Sequence, residues 1–298
     1  MVAGDAGRGP SGLIICETSP EICVKDCFVI LPLLVVLAAP SADAGPIVAS
    51  DTGSNYGTDW LGNGGFGFDD WSFQTDLDDG PGFAGSFLAA TGTHGDLNYI
   101  WSMPDFKAWG TFANGPNAET MAAFRGFSDI SLDENYSFLI SMENGLIQTG
   151  GKTGFTLRTG NANGNSDAYN IGARFEFFFE GGDANYSILD DTGTKFDTGI
   201  GFTPDGLDLV FTRTGPNLYH LEVFSANGGA SLGTFDRTLG GTSGASLDSV
   251  ALYNRDVESA NVYFNKMQIM TPLPPAAWAG LAMLGLFVGS NRLRKRQP

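Results

Sequence analysis

An all-β domain, a single antiparallel sandwich or jelly roll, is the fold this sequence predicts, and three observations predict it. Glycine is abundant, 42 of 298 residues, while charged residues reach only 16 %, against roughly 25 % in an average soluble chain. Phenylalanine is frequent, at 23 residues, and aromatic side chains suit the half-buried surface of a sheet. Most directly, apolar and polar residues alternate with period two in several separate stretches. That period marks strands with one face in a core.

Taken in chain order, Tyr136, Phe138, Ile140 and Met142 alternate with Ser137, Leu139 and Ser141. Phe175, Phe177 and Phe179 alternate with Arg174, Glu176 and Glu180, and Phe178 interrupts the polar face. Leu207, Leu209 and Phe211 alternate with Asp208, Val210 and Thr212, and Tyr219, Leu221 and Val223 with His220 and Glu222. Between these lie turn sequences: Glu143-Asn144-Gly145, Asn163-Gly164, Pro204-Asp205-Gly206 and Asn227-Gly228. The helical patches are short, such as 117–125. Leu146 to Thr153 falls near a phosphate loop, but the spacing fails and a strand, Phe155 to Arg158, follows where a helix must begin; it reads as a hairpin turn. No internal repeat or second domain is visible.

The two ends read differently. Phe28 to Ala39 is apolar apart from Pro32, and Pro40-Ser41-Ala42-Asp43-Ala44 follows as an A-x-A cleavage pattern. The run is shorter than the roughly 20 residues of a spanning helix and has the proportions of a secretory signal. The acidic stretch before it lacks a positive n-region, which points to a true start at Val24. Cys16, Cys23 and Cys27 all lie in this leader, so the exported domain carries no disulfide. Residues 1–44 are therefore expected to be leader, 45–270 the β-sandwich and 271–298 a tail. The formal charge of −17 and pI near 4.2 argue against a nucleic-acid partner, whose phosphates select Lys and Arg.

The tail carries a Pro-rich segment, Thr271-Pro272-Leu273-Pro274-Pro275-Ala276-Ala277-Trp278, then an apolar stretch to Gly289, then Arg292, Arg294, Lys295 and Arg296. Basic residues after an apolar span mark a cytoplasmic flank. This tripartite order resembles the PEP-CTERM sorting signal in its VPLPA-like variant. The resemblance implies signal peptidase and an exosortase as processing partners and transient anchoring in the inner membrane. It further implies release to the cell surface or extracellular matrix, and association with exopolysaccharide. A second resemblance rests on Asn55-Tyr56-Gly57-Thr58-Asp59-Trp60, Gly64-Gly65-Phe66-Gly67-Phe68-Asp69-Asp70-Trp71, Ala108-Trp109-Gly110-Thr111-Phe112-Ala113-Asn114 and Asn144-Gly145-Leu146-Ile147-Gln148-Thr149-Gly150-Gly151. These are similar to exported bacterial β-sandwich regions, concanavalin-like in outline, with no assigned activity.

Candidate chemistry is sparse. Beyond the leader there are two histidines, His94 and His220, and no cysteine, which excludes thiol nucleophiles and multi-His metal sites. Trp60, Trp71, Trp101 and Trp109 fall close together. Sugars stack on aromatic faces while carboxylates fix their hydroxyls, so Trp101, Trp109, Trp60 and Asp59 are the candidate ligand-binding residues. Asp76, Asp78 and Asp79, in Asp76-Leu77-Asp78-Asp79-Gly80, form an oxygen-rich turn that suits a structural calcium ion; Asp190-Asp191-Thr192-Gly193-Thr194 is a second. Glu176 and Glu180 share one strand face at i and i+4. Their spacing is similar to the E-x-D-x-E of concanavalin-like retaining glucanases, with Phe178 in place of the central Asp. The leading expectation is a non-enzymatic surface or matrix protein that binds carbohydrate or adheres. The alternatives are a retaining glycoside hydrolase using Glu176 and Glu180, and a structural surface protein without ligand.

Overall fold

The computed structural model describes residues 45–76, 82–90, 107–114, 119–160, 166–255 and 261–272. Those residues carry fifteen strands: β1 (Ile47–Asp51), β2 (Ser72–Asp76), β3 (Phe83–Ala90), β4 (Lys107–Asn114), β5 (Thr120–Gly126), β6 (Ser137–Asn144), β7 (Lys152–Arg158), β8 (Ala173–Glu180), β9 (Asn185–Leu189), β10 (Phe196–Gly201), β11 (Leu207–Arg213), β12 (Leu218–Ser225), β13 (Ser231–Thr238), β14 (Ser249–Arg255) and β15 (Val262–Met270). They form two antiparallel sheets. The first runs β13-β12-β11-β6-β15-β4-β3, with β1 also paired to β15; the second runs β10-β9-β8-β7-β14-β5-β2. This is the sandwich the alternation predicts. No helix among the described residues is long and apolar enough to cross a membrane.

The alternation decides what lies between the sheets. Phe138, Ile140 and Met142 of β6 and Leu207, Leu209 and Phe211 of β11 are buried, as are Phe155, Leu157, Phe175, Phe177 and Phe179 of β7 and β8. Burying one such side chain contributes roughly 1.5–3 kcal/mol. This is how a domain without cysteine holds together.

Residues 117–125 correct the expectation of a helix: Thr120–Gly126 is β5, a wholly buried strand. Met121 and Ala123 face the inter-sheet core while Ala122 and Phe124 face a second apolar cluster on the outside of the sheet. The small side chains allow a strand to lie between two packed layers, and packing overrides their helical preference. Gly206, Gly228 and Gly229 have positive φ in the predicted turns, where glycine avoids the Cβ clash. Asn163-Gly164 lies outside the described residues.

Two carboxylate–arginine clamps join the sheets. Asp51 of β1 meets Arg125 of β5, both fully buried. Asp51 also accepts hydrogen bonds from Tyr56 Oη at 2.6 Å, Asn55 Nδ2 at 2.8 Å and the Thr52 amide at 2.8 Å. On the opposite flank Asp190, just past β9, accepts from Arg237 Nε at 2.5 Å and Nη2 at 2.9 Å and from Tyr219 Oη at 2.8 Å. The two ends of the described domain come together: Ile47 pairs with Met270, and the Thr271 amide donates to Pro46 O at 3.0 Å.

Candidate functional site

The tryptophan cluster is core. Trp109 of β4 is fully buried and Trp60 is 3 % exposed. Trp60 stacks on Trp109 with centroids 6.0 Å apart and meets Trp71 and Phe73 edge-on at 5.0 Å each. Segment 52–71 folds against the sandwich and is pinned by the Asp51–Arg125 clamp, by Arg125 Nε to Asp69 O at 2.8 Å, and by Trp71 Nε1 to Tyr56 Oη at 2.9 Å. The rings of Trp60 and Trp109 therefore have no face open to a sugar, which corrects the expectation that they bind one. Asp59 is exposed; Trp101 lies outside the described residues.

The carboxylate pair is also not a cleft. Glu176 is 2 % exposed on the outer face of the second sheet. Its carboxylate meets Lys152 Nζ at 2.7 Å and accepts the hydroxyl of fully buried Tyr253. Tyr169, in a short 3-10 helix Ser166–Asn170, stacks on Tyr253 at 4.0 Å and closes the cluster. Glu180, farther along β8, is partly exposed and pairs with Lys195 at 2.8 Å. One carboxylate is sealed and ion-paired and the other is at the surface, so the two do not flank a space for a glycosidic bond. Arg174, two residues before Glu176, turns elsewhere: its Nε donates to Gly240 O at 2.8 Å.

No group of three or more His, Cys, Asp or Glu among the described residues is arranged to hold a metal. Asp76 ends β2; Asp78 and Asp79 lie outside the described residues. In the second oxygen-rich turn, Asp190 is committed to Arg237 and Tyr219. Pro272 is exposed beyond β15; Leu273, Pro274, the basic residues and the Ala42–Ala44 cleavage site lie outside the described residues.

The site that the structure does offer is on the outer face of the first sheet. Residues of β6, β11, β12 and β15 line a cavity of about 430 Å³ there. Leu139, Val210 and Phe224 give it apolar surface; Ser141, Asp208, Lys266 and Gln268 give it polar groups. Register brings them together. Asp208 stands between Ser141 on β6 and Phe224 on β12, and Val210 stands opposite Leu139, which is itself opposite Gln268. Ser141 donates its hydroxyl to Asp208 Oδ1. Lys266 Nζ stands 3.8 Å from Asp208 Oδ2, too far for a hydrogen bond.

A bulge aims Lys266 there. Lys266 and Met267 oppose the single residue Ile140, and Lys266 has φ 55°. That left-handed conformation costs a non-glycine residue roughly 1–2 kcal/mol. Met267 drops into the core while Lys266 stays partly exposed in the groove. Alternation already placed Ser141, Asp208 and Val210 on an outward face. Their meeting across strands needed the register, which the sequence pattern does not encode.

No known family profile matches the chain, and no curated protein does. Solved structures show likeness at low identity. The exoplasmic/lumenal domain of VIP36, bound to Ca²⁺ and Man3GlcNAc, is 10 % identical over 70 % of this chain and 87 % of its own, with a TM-score of 0.39. The carbohydrate recognition domain of Emp47p is 10 % identical over 74 % and 97 %, with a TM-score of 0.39. A carbohydrate esterase of Shiga toxin-encoding bacteriophage phi24B is 12 % identical over 67 % and 89 %, with a TM-score of 0.39.

Proposed function

We propose that this chain is an exported, non-enzymatic carbohydrate-binding protein of the cell surface or extracellular matrix, with its ligand in the groove between β12 and β15. One observation carries the reading: a concave site that sets apolar side chains beside a small number of convergent polar groups. Leu139, Val210 and Phe224 suit the C–H face of a sugar. Ser141, Asp208, Lys266 and Gln268 suit its hydroxyls, the usual composition of a small-ligand site.

Export and sorting belong to the same proposal. Signal peptidase cuts after Ala44, an exosortase acts at Pro272-Leu273-Pro274, and the basic tail holds the chain in the inner membrane until then. The first strand starts at Ile47 and the last ends at Met270, so neither cut removes part of a strand.

Retention of the full chain on immobilised polysaccharides tests the binding role. Retention on at least one glycan, reduced in Phe224→Ala and Val210→Asp with unchanged melting, is expected. No retention on any glycan leaves the alternative of a surface protein without ligand. Deleting 271–298 is expected to abolish the processed form and surface location; an unchanged mass and location defeats the sorting role.

A further inference from the structure

We infer that the ligand of this groove is an uncharged polysaccharide, its hydroxyls bracketed by Lys266 and Asp208, and not a uronate or sulfate polymer. The inference rests on the proposed binding role of the groove and deepens it. Lys266 has three donors and no acceptor, and Asp208 has acceptors only. With Oδ1 held by the Ser141 hydroxyl, Oδ2 is the atom directed to Lys266 across 3.8 Å. A hydroxyl inserted at this gap accepts from the ammonium and donates to the carboxylate, so a pair of sugar hydroxyls satisfies both residues. An anionic group satisfies only Lys266 and is set against Asp208.

The surroundings sharpen the choice. The charged and titratable groups on the outward positions around the groove include Glu143 on β6, Asp208 on β11, His220 and Glu222 on β12, Asp236 on β13 and Lys266 on β15. His220 Nδ1 is engaged with Asp236 at 2.7 Å. Four carboxylates share this face with one ammonium, in a chain of formal charge −17. Like charges a few ångströms apart near a protein surface repel. A polyanion is therefore repelled at long range and mismatched in the groove. The left-handed backbone of Lys266 supports a positioned role, since such conformations persist where the surroundings enforce them and cluster at functional sites.

Affinity electrophoresis of the full chain tests this at about 0.15 M salt, where long-range electrostatics are screened and the contacts within the groove decide. The probes are β-glucan, xyloglucan and galactomannan against alginate, polygalacturonate and dextran sulfate. Retardation by at least one neutral polymer and by none of the anionic ones is expected. Asp208→Asn and Lys266→Met are each expected to weaken it about tenfold, the loss of a hydrogen bond to a charged group. Lys266→Gly, which the backbone accommodates, serves as the folded control and is expected to lose affinity equally. Retardation by an anionic polymer, strengthened in Asp208→Asn, overturns the uncharged assignment while leaving the groove as the site. Retardation by no polymer of either kind overturns the binding role itself.

Discussion

At the scale of single residues, the charges that matter most are inside. Asp51 and Arg125 lie between the sheets with no exposed side-chain surface. Arg125 also sits over the rings of Phe68 and Trp71 at 4.8 and 4.9 Å. Removing one member of such a pair strands the other without solvent and costs about 3–5 kcal/mol. Asp51→Ala and Arg125→Met are each expected to lower unfolding stability by that amount in urea titrations; a change under about 1 kcal/mol would contradict the clamp. Asp190 gives a pH signature. Burial pushes its carboxyl up, but the hydrogen bonds from Arg237 and Tyr219 outweigh this and hold the pKa below the usual carboxylate value. A depressed folded pKa stabilises above the unfolded value near 3.9, and that stability is lost as pH falls through the folded pKa. Acid titration of unfolding is expected to show this loss below about pH 4 in the native chain and a flatter profile in Asp190→Asn.

At the scale of elements, the outer face of the second sheet is the surprise. Period-two alternation marks Arg174, Glu176 and Glu180 as a polar, outward face interrupted by Phe178, which predicts solvent. Residues 168–171 pack on that face and bury it. Arg158 Nε donates to Ile171 O at 2.9 Å and Nη2 to Ala168 O at 3.1 Å, with the guanidinium over Phe124 at 4.9 Å. Burial lowers its pKa to about 10, the mark of a cation held away from water by local acceptors. Hence Glu176 lost its catalytic reading: the alternation was legible, but the loop that covers the face was not. Arg158→Met frees those carbonyls. Amides of 166–172 are expected to exchange faster by mass-detected hydrogen exchange while β7 and β8 stay protected; equal protection throughout would contradict the role of Arg158. On the first sheet, a β-carbon on Gly110 would stand 2.4 Å from the ring of Phe87, so this glycine lets an aromatic lie across the sheet.

At the scale of the molecule, the sheets, the buried face of nearly every predicted strand and the turns at 204–206 and 227–228 were legible, because period and turn chemistry are local. Glu143 and Asn144 instead end β6, and residues 146–151 cross to β7 in the other sheet rather than closing a hairpin. The tryptophans misled because a cluster in sequence says nothing of exposure; their fate was set by segment 52–71 closing over them. The groove was hidden for the complementary reason, since Ser141, Asp208, Phe224 and Lys266 are distant in sequence and meet through register and a bulge. Both ends of the described domain leave from one pole, where Pro46 meets Thr271. The β6–β7 loop at the far pole lines a second hollow of about 450 Å³ with Phe202, and there Leu146 is 71 % exposed. If the tail holds the chain at a membrane, the groove stands along the flank of β6, between those poles. The far hollow is the rival site.

Backbone amide NMR during titration with a neutral oligosaccharide that binds separates these two sites. The groove predicts shift changes concentrated at Leu139–Ser141, Asp208–Val210, Phe224 and Lys266–Gln268. Changes concentrated at Leu146–Thr149, Asp183 and Phe202, with those groove amides unmoved, would contradict it.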